Sequence, residues 1–424
     1  MHDLRLIRDE VGTLREGLRR RGLLDALGPT VDRAQRLDVE RRATIQASEE
    51  RKAARNLASQ EVARRKRSGE QTDDLVARAR ALGEEIARLE LELAVTQAEL
   101  DVLLLELPNV VRADVPAGDQ TANVVLRQWG IPRAANSAKP HWEVGAALGL
   151  IDLPRGAKIA ASGFVVYRGL GARLQRALMN FMLDLHTREF GYEETSVPVL
   201  VNRRTMIGTG QLPKFEDDLY ALRDDPLFAI PTAEVPLTNL FQDEILDGAI
   251  LPKALTAFSL CFRREAGAAG KDTRGTLRVH QFEKVELVRF CAPDDSSSQH
   301  DLLTGHAEAV LQLLGLPYRV VLLAAGDTGF SAAKTLDLEV FAPGVAGWLE
   351  VSSCSNFGDF QARRANIRFR AAPGQKPQFV HTLNGSGLAF PRILASILEH
   401  YQEEDGTVDV PAVLRPYLGV DRIK

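Results

Sequence analysis

From Leu75 the apolar positions run Leu75, Ala79, Leu82, Ile86, Leu89, Leu93, Thr96, Leu100, Leu103 and Leu107, in alternating steps of four and three, with Thr96 the one interruption. That spacing puts an apolar seam on a long helix, and the seam requires a second helix to cover it. A weaker seam through Leu37, Ile45 and Leu57 marks an earlier helix, about 30–67. Between them, "RSGEQTDD" holds Gly69, which breaks the first helix, and Thr72 or Asp73, which can cap the second. Two long helices and one tight turn make an antiparallel hairpin, each limb on the order of 50 Å long. Pro108 ends it, because proline cannot continue a helix. The first limb is basic, with Arg51, Lys52 and Arg55 along it and Arg64, Arg65, Lys66 and Arg67 beside the turn. Charge alone leaves two readings open: a solvated helix face, or an arm whose tip touches a phosphate backbone.

The chain has 424 residues, enough for two or three domains. Residues 1–107 read as an N-terminal helical domain, 108–165, rich in Pro, Gly and Ala, as a connecting region, and 166–424 as a second domain. In the second domain "LGARLQRALMNFMLDLHTREFGY" is an amphipathic helix. "EETSVPVLV", "FAIPT", "ALTAFSLCF", "RVHQFEKVELVRF", "YRVVLLAAG", "LDLEVFA", "GWLEVSSCSNF" and "ANIRFRA" read as strands. Helices near 233–246, 296–314 and 390–403 interleave with them without a regular βαβ alternation. The fold class is therefore α+β, on a largely antiparallel sheet.

The formal net charge is −4, so nucleic acid can be bound only through a local patch. Cys261, Cys291 and Cys354 form no CxxC pair, which argues against structural zinc and suits a reducing compartment. "MHDLRLIRDE" lacks the apolar core of a signal peptide, and no stretch approaches the roughly 18 apolar residues of a membrane span. The expectation is a soluble, cytoplasmic protein with no membrane partner.

A nucleotide site of the usual loop types is absent from the sequence. "GAAGKDT" lacks the G-x-x-x-x-G-K-[ST] spacing, and no GxGxxG follows a strand. Side chains can do the same work. "ALTAFSLCFRRE" and "RVHQFEKVELVRF" read as two strands joined by a long glycine-rich loop, 266–277. Period-two geometry puts Arg263 and Glu265 on one face of the first and Phe282 and Glu286 on one face of the second. If the faces coincide, a guanidinium for phosphate, an aromatic plate for a base and two carboxylates for amines share a surface. Cross-strand ion pairing on an exposed sheet is the competing account.

"FRREAGAAGKDTRGTLRVHQFEKVELV" closely resembles motif 2 of class II aminoacyl-tRNA synthetases, in the form found in seryl-tRNA synthetases. "FGYEETSVPVLV" resembles motif 1, with Pro198 at its proline, and "NGSGLAFPRILASILEHYQ" resembles motif 3, with Arg392 at its arginine. "TGTGQLPKF", "IPTAEVPL" and "LEVSSCSNFGDFQARR" are further seryl-type segments, and the basic hairpin resembles the family's tRNA-binding arm. The resemblance covers nearly the whole chain and implies a class II sheet flanked by helices.

The resemblance also implies roles. Serine would be met by Thr232, Ala233 and Glu234 of "TAE", by Glu286, and by Asn384 and Ser386 of "NGSG". ATP would be met by Arg263, Arg264 and Glu265 of "RRE", by Phe282 stacked on the base, and by Glu350, Val351, Ser352 and Ser353 of "EVSS". Arg263 would hold the α-phosphate, Arg392 the γ-phosphate, and Glu350 Mg²⁺. Residues 266–277 would cover ATP and later meet the tRNA acceptor end. The arm cations named above would contact tRNA, with selenocysteine tRNA raised as a second acceptor beside serine tRNA. A homodimer is implied, with motif 1 at the interface and the arm of one subunit reaching tRNA bound across the other.

Each assignment has a plainer competitor: Thr232 as a helix cap, Glu350 as a strand carboxylate, "GSG" as a helix-start turn, Arg392 bound to the preceding turn. Independent accident would have to reproduce six segments in order. His280 has no acid–base task and reads as structural. Two departures from the family pattern stand out: Phe390-Pro391 before Arg392, and Gly163 where a basic residue is frequent. Two rivals remain at this point, a ligase that charges a carrier protein and a coiled-coil binding protein on a dead synthetase domain. The basic arm weighs against the first. Intact Arg263, Glu265, Phe282, Glu350 and Arg392 weigh against the second.

Overall fold

In the computed structural model, which describes residues 1–266 and 274–424, the hairpin is formed by α1 (Leu24–Ser68) and α2 (Asp73–Glu106). Gly69 takes the left-handed C-cap, at φ 74°. Thr72 sits at the cap of α2, although its side chain makes no capping bond. The heptad seam holds: Ile86, Leu100 and Leu107 are buried and none of the other seam residues is exposed. Arg33–Glu99, Arg51–Glu85 and Lys52–Glu90 pair across the limbs at 2.8, 2.7 and 3.2 Å.

Two expectations for α1 fail. The helix begins at Leu24 and carries Pro29 inside it, because Gly28, Val31 and Ala34 are buried where α1 meets the helix Val11–Arg20. One missing N–H near the helix start is the cost. Of the expected seam, Leu37 is buried and Ile45 half-buried, but Leu57 is 67% exposed, and from Thr44 onward the buried positions are Thr44, Ser48 and Ala58. Small side chains on α1 let the limbs approach, so its seam is poor in large apolar residues. This unit is Met1–Pro108; the second is Asn109–Lys424.

Among the described residues, eight strands build the central sheet of the second unit: β1 (Val124–Trp129), β2 (Glu193–Glu194), β3 (Lys253–Phe262), β4 (Gln281–Cys291), β5 (Tyr318–Leu322), β6 (Lys334–Ala342), β7 (Gly347–Gly358) and β8 (His381–Ala389). Their order is β1-β5-β6-β7-β8-β4-β3-β2. Every neighbouring pair is antiparallel except β2 with β3. The segment read as a connector thus supplies an edge strand. Of "EETSVPVLV" only Glu193–Glu194 joins this sheet; Leu200–Asn202 pairs elsewhere, with Leu227–Ala229. Pro198 between them offers no ladder donor.

α3 (Leu170–Asp184), α5 (Ser296–Leu313) and α6 (Phe390–His400) pack their apolar faces with Val285, Leu287, Leu338 and Leu383 into one core. On the other face α4 (Glu234–Asn239), shorter than the expected 233–246, packs with Ala257, Val288 and Phe290. The remainder of that face is the cleft described below. "NGSG" lies within β8, not in a helix-start turn. Its glycines are required by close packing: a Cβ at Gly385 would stand 2.6 Å from Leu303 Cδ2, and one at Gly387 2.8 Å from His186 Nε2. Among the described residues, no helix is long and apolar enough to cross a membrane.

Candidate active site

The β3–β4 register pairs Phe282 with Cys261 and Glu286 with Ala257, and Arg263 N–H donates to the His280 carbonyl at 2.9 Å. Arg263 therefore opposes His280, with Phe282 diagonal to it on the same face. Its guanidinium lies 5.1 Å from the Phe282 ring centroid and donates to the Pro231 carbonyl at 3.4 Å. Glu265 lies beyond the strand at φ 52°, so simple alternation does not place it; its carboxylate accepts from Arg278 at 3.2 Å. Arg264 is exposed and lines neither cavity described here. Of the loop 266–277, residues 267–273 lie outside the described residues. His280 accepts a structural place, with Nδ1 3.0 Å from the Arg263 carbonyl oxygen. Gly163 packs under it at φ 82°, where a Cβ would stand 2.5 Å from His280 Cδ2. A side chain at 163 would require the His280 ring to move and would sit at a backbone conformation that favours glycine.

Two adjoining cavities open over these strands. The larger, about 570 Å³, is lined by Thr232, Glu234, Asn384, Ser386 and Ser353 among others. The smaller, about 220 Å³, is lined by Phe282, Val351, Leu277 and Arg392 among others. Arg263, Glu265, Lys284, Glu350 and Ser386 line both. Ala233 turns into the core with Leu237, and Ser352 is buried, donating to the Ser386 carbonyl at 2.8 Å.

At the base of the larger cavity, Glu286 is fully buried. Thr232 donates to its Oε2 at 2.8 Å and Asn384 to its Oε1 at 3.2 Å. Lys284 forms an ion pair with it and donates to Thr232 Oγ1 at 2.8 Å. The Glu234 N–H also donates to that hydroxyl, at 3.1 Å, so Thr232 is both a helix-start acceptor and part of this network. Glu234 accepts from Gln361 at 2.7 Å. Burial, and then the charge of Glu286, push the Glu234 carboxyl up to about 7. Lys284 and Gln361 were missed in the sequence. Alternation along β4 puts Lys284 on the face of Phe282 and Glu286 and is the signal that finds it.

The Arg392 end of the smaller cavity is built differently. Arg392 donates to the Glu350 and Leu277 carbonyls at 2.5 and 3.3 Å, and its guanidinium is 3.4 Å from the Glu350 carboxylate. Pro391 occupies the first turn of α6, where it is tolerated. Opposite Ser353 stands Asp337, buried, with no hydrogen-bond partner for Oδ1 among the described residues. Burial and the charge of Glu350 push its carboxyl well above the usual carboxylate range. A buried carboxyl with one oxygen unpartnered among the described residues, beside a second acid, is chemistry that fits a divalent cation.

An antiparallel sheet that carries an arginine-and-aromatic pocket beside an acid-rich one defines a class II aminoacyl-tRNA synthetase core. The family model "tRNA synthetase class II core domain (G, H, P, S and T)" matches residues 214–401, and "Seryl-tRNA synthetase N-terminal domain" matches residues 1–111. Serine–tRNA ligase from Gemmatimonas aurantiaca is 62% identical, with 99% of each chain covered. That from Carboxydothermus hydrogenoformans is 52% identical, covering 100% of this chain and 99% of the relative. The crystal structure of seryl-tRNA synthetase from Pyrococcus horikoshii complexed with ATP superposes with a TM-score of 0.95 at 38% identity, covering 100% of this chain and 99% of that one. The chain belongs to the seryl-tRNA synthetase family, and its reaction is the ATP-dependent ligation of serine to tRNA.

Proposed function

We propose that the two cavities divide the reactants, serine in the larger and ATP in the smaller. Serine's ammonium is met by Glu286 and Glu234, and its hydroxyl by the polar groups of Thr232, Asn384 and Ser386. Polar groups left unpaired by alanine or glycine give stronger rejection than apolar volume does for so small a substrate. Phe282 stacks on adenine with Glu265 beside it, Arg263 holds the α-phosphate and Arg392 the γ-phosphate. Glu350, with Ser353 and Asp337 at hand, holds Mg²⁺, which supplies charge neutralisation on the phosphates.

One serine carboxylate oxygen bonds to the α-phosphorus as the bond to the pyrophosphate oxygen breaks. The terminal ribose hydroxyl of tRNA then attacks the acyl carbon, its proton passing to a phosphate oxygen of the departing AMP as the bond from that carbon to AMP breaks. Neither step needs a dedicated side-chain base; alignment and charge stabilisation carry both. The basic arm reads tRNA by shape through backbone contacts, and Arg55, Lys66 and Arg67 support this reading, since none has an ion-pair partner among the described residues. A cytoplasmic homodimer, with motif 1 at the interface, completes the proposal.

The observation that carries it is the shared floor: Arg263, Lys284, Glu350 and Ser386 line both cavities, so both reactants meet over one surface. ATP–pyrophosphate exchange measured with serine, alanine, glycine and threonine tests it. Exchange with serine alone is expected; equal exchange with alanine would break the assignment of the larger cavity.

A further inference from the structure

Serine's ammonium, in the reading above, must reach a carboxylate that is already covered. Glu286 is fully buried and does not line the cavity. Thr232 and Asn384 donate to its two oxygens, and the Lys284 ammonium pairs with the same Oε2 that Thr232 bonds. Lys284 is itself only 5% exposed, yet it lines both cavities. An incoming ammonium therefore competes with Lys284 for the same acceptors.

We propose that Lys284 is a catalytic residue that changes partners. In the empty site it neutralises Glu286 and holds the Thr232 hydroxyl. Serine's ammonium takes over both, and the Lys284 ammonium turns to the junction of the serine carboxylate and the α-phosphate. That junction needs a cation, because nucleophile and electrophile are both anionic. Lysine suits the exchange, having a flexible stem and three rotatable donors. Arg263 does not, since its guanidinium is held against Phe282 and the Pro231 carbonyl. The proton inventory of Lys284 does not change; it donates hydrogen bonds while the carboxylate–phosphorus bond forms and pyrophosphate leaves.

The inference rests on the substrate assignment above, and full-length Lys284→Met separates the two. Serine-dependent exchange by the variant should lose about 100-fold or more in kcat. Its KM for serine, and its calorimetric affinity for serine alone, should change little, because the variant loses together the cation that competes for Glu286 and the contact to the serine carboxylate. An unchanged kcat, or a raised KM with kcat retained, would overturn the proposal, since either makes Lys284 structural or merely part of the serine pocket. A crystal of the unaltered enzyme with serine and no ATP is the second measurement. Lys284 Nζ is expected on the serine carboxylate; Nζ still paired with Glu286 beneath bound serine would overturn it without any variant. Absence of serine-dependent exchange in the unaltered enzyme would instead sink the substrate assignment itself.

Discussion

The arm and the cleft handle charge in opposite ways. On the arm, cations stand at the surface and acids of the same hairpin offset many of them: Arg51 by Glu85, Lys52 by Glu49 and Glu90, Arg64 and Arg65 by Glu61. Such exposed pairs are worth little and are screened by salt. In the cleft, Glu234, Glu286, Lys284 and Asp337 are all buried, so each charge strongly alters its neighbours. Redundant surface charge suits a partner that is large and polyanionic. Few, buried and interdependent charges suit reactants that must be placed to within a fraction of an ångström.

That contrast is open to attack, starting where the effect is largest. Deleting roughly residues 30–105 should cost tRNA charging more than about 10³-fold while leaving pyrophosphate exchange within about threefold. Normal charging by the truncated enzyme would end the assignment of the arm. Glu350→Gln should lower the kcat of exchange by about 10²–10³-fold and raise the Mg²⁺ concentration needed for half-maximal rate. A pH series on KM for serine probes the buried carboxyls next. The Glu234 carboxyl, pushed up to about 7, keeps its proton below that pH, so the pocket then offers an ammonium one negative charge fewer. KM for serine should therefore fall as pH rises through about 7, by about threefold to tenfold, and the slope should vanish in Glu234→Gln. The smallest effects belong to the arm tip. Alanine at Arg55, Lys66 or Arg67 should each weaken tRNA binding a few-fold and make its salt dependence shallower by about one ion, with exchange untouched.

The hairpin was legible because its seam is periodic, and α2 follows that seam at every position. Its partner limb was legible only at Leu37, since Thr44, Ser48 and Ala58 are the buried positions further along and give little apolar signal, while Leu57, which does, faces solvent. In the catalytic unit the resemblance named Arg263, Phe282, Glu350, Ser386 and Arg392 in three separate segments, and all five line the two adjoining cavities. β8 escaped notice because glycines usually mark a turn, and here they mark crowding behind a strand. β1 escaped because a Pro- and Gly-rich surround hid a strand whose six residues are all exposed. Lys284 escaped for another reason: motif comparison names residues that touch ligands, whereas a lysine paired to Glu286 in the empty site looks like stabilisation until its position over both cavities is seen.

The alternation along β8 also bounds how this enzyme can be redesigned. Asn384 and Ser386 look into the larger cavity, the one proposed for serine, while Gly385 and Gly387 are pressed from behind by Leu303, Cys354, Val285 and His186. A larger amino-acid substrate cannot be accommodated by pushing that strand back. Room must come from Asn384 and Ser386 themselves or from the opposite wall at Thr209, Gln211 and Ser331. Libraries that randomise all four positions of "NGSG" would spend half their diversity on variants that cannot pack, whereas two positions on β8 varied together with the facing loop would keep the scaffold and move the substrate range.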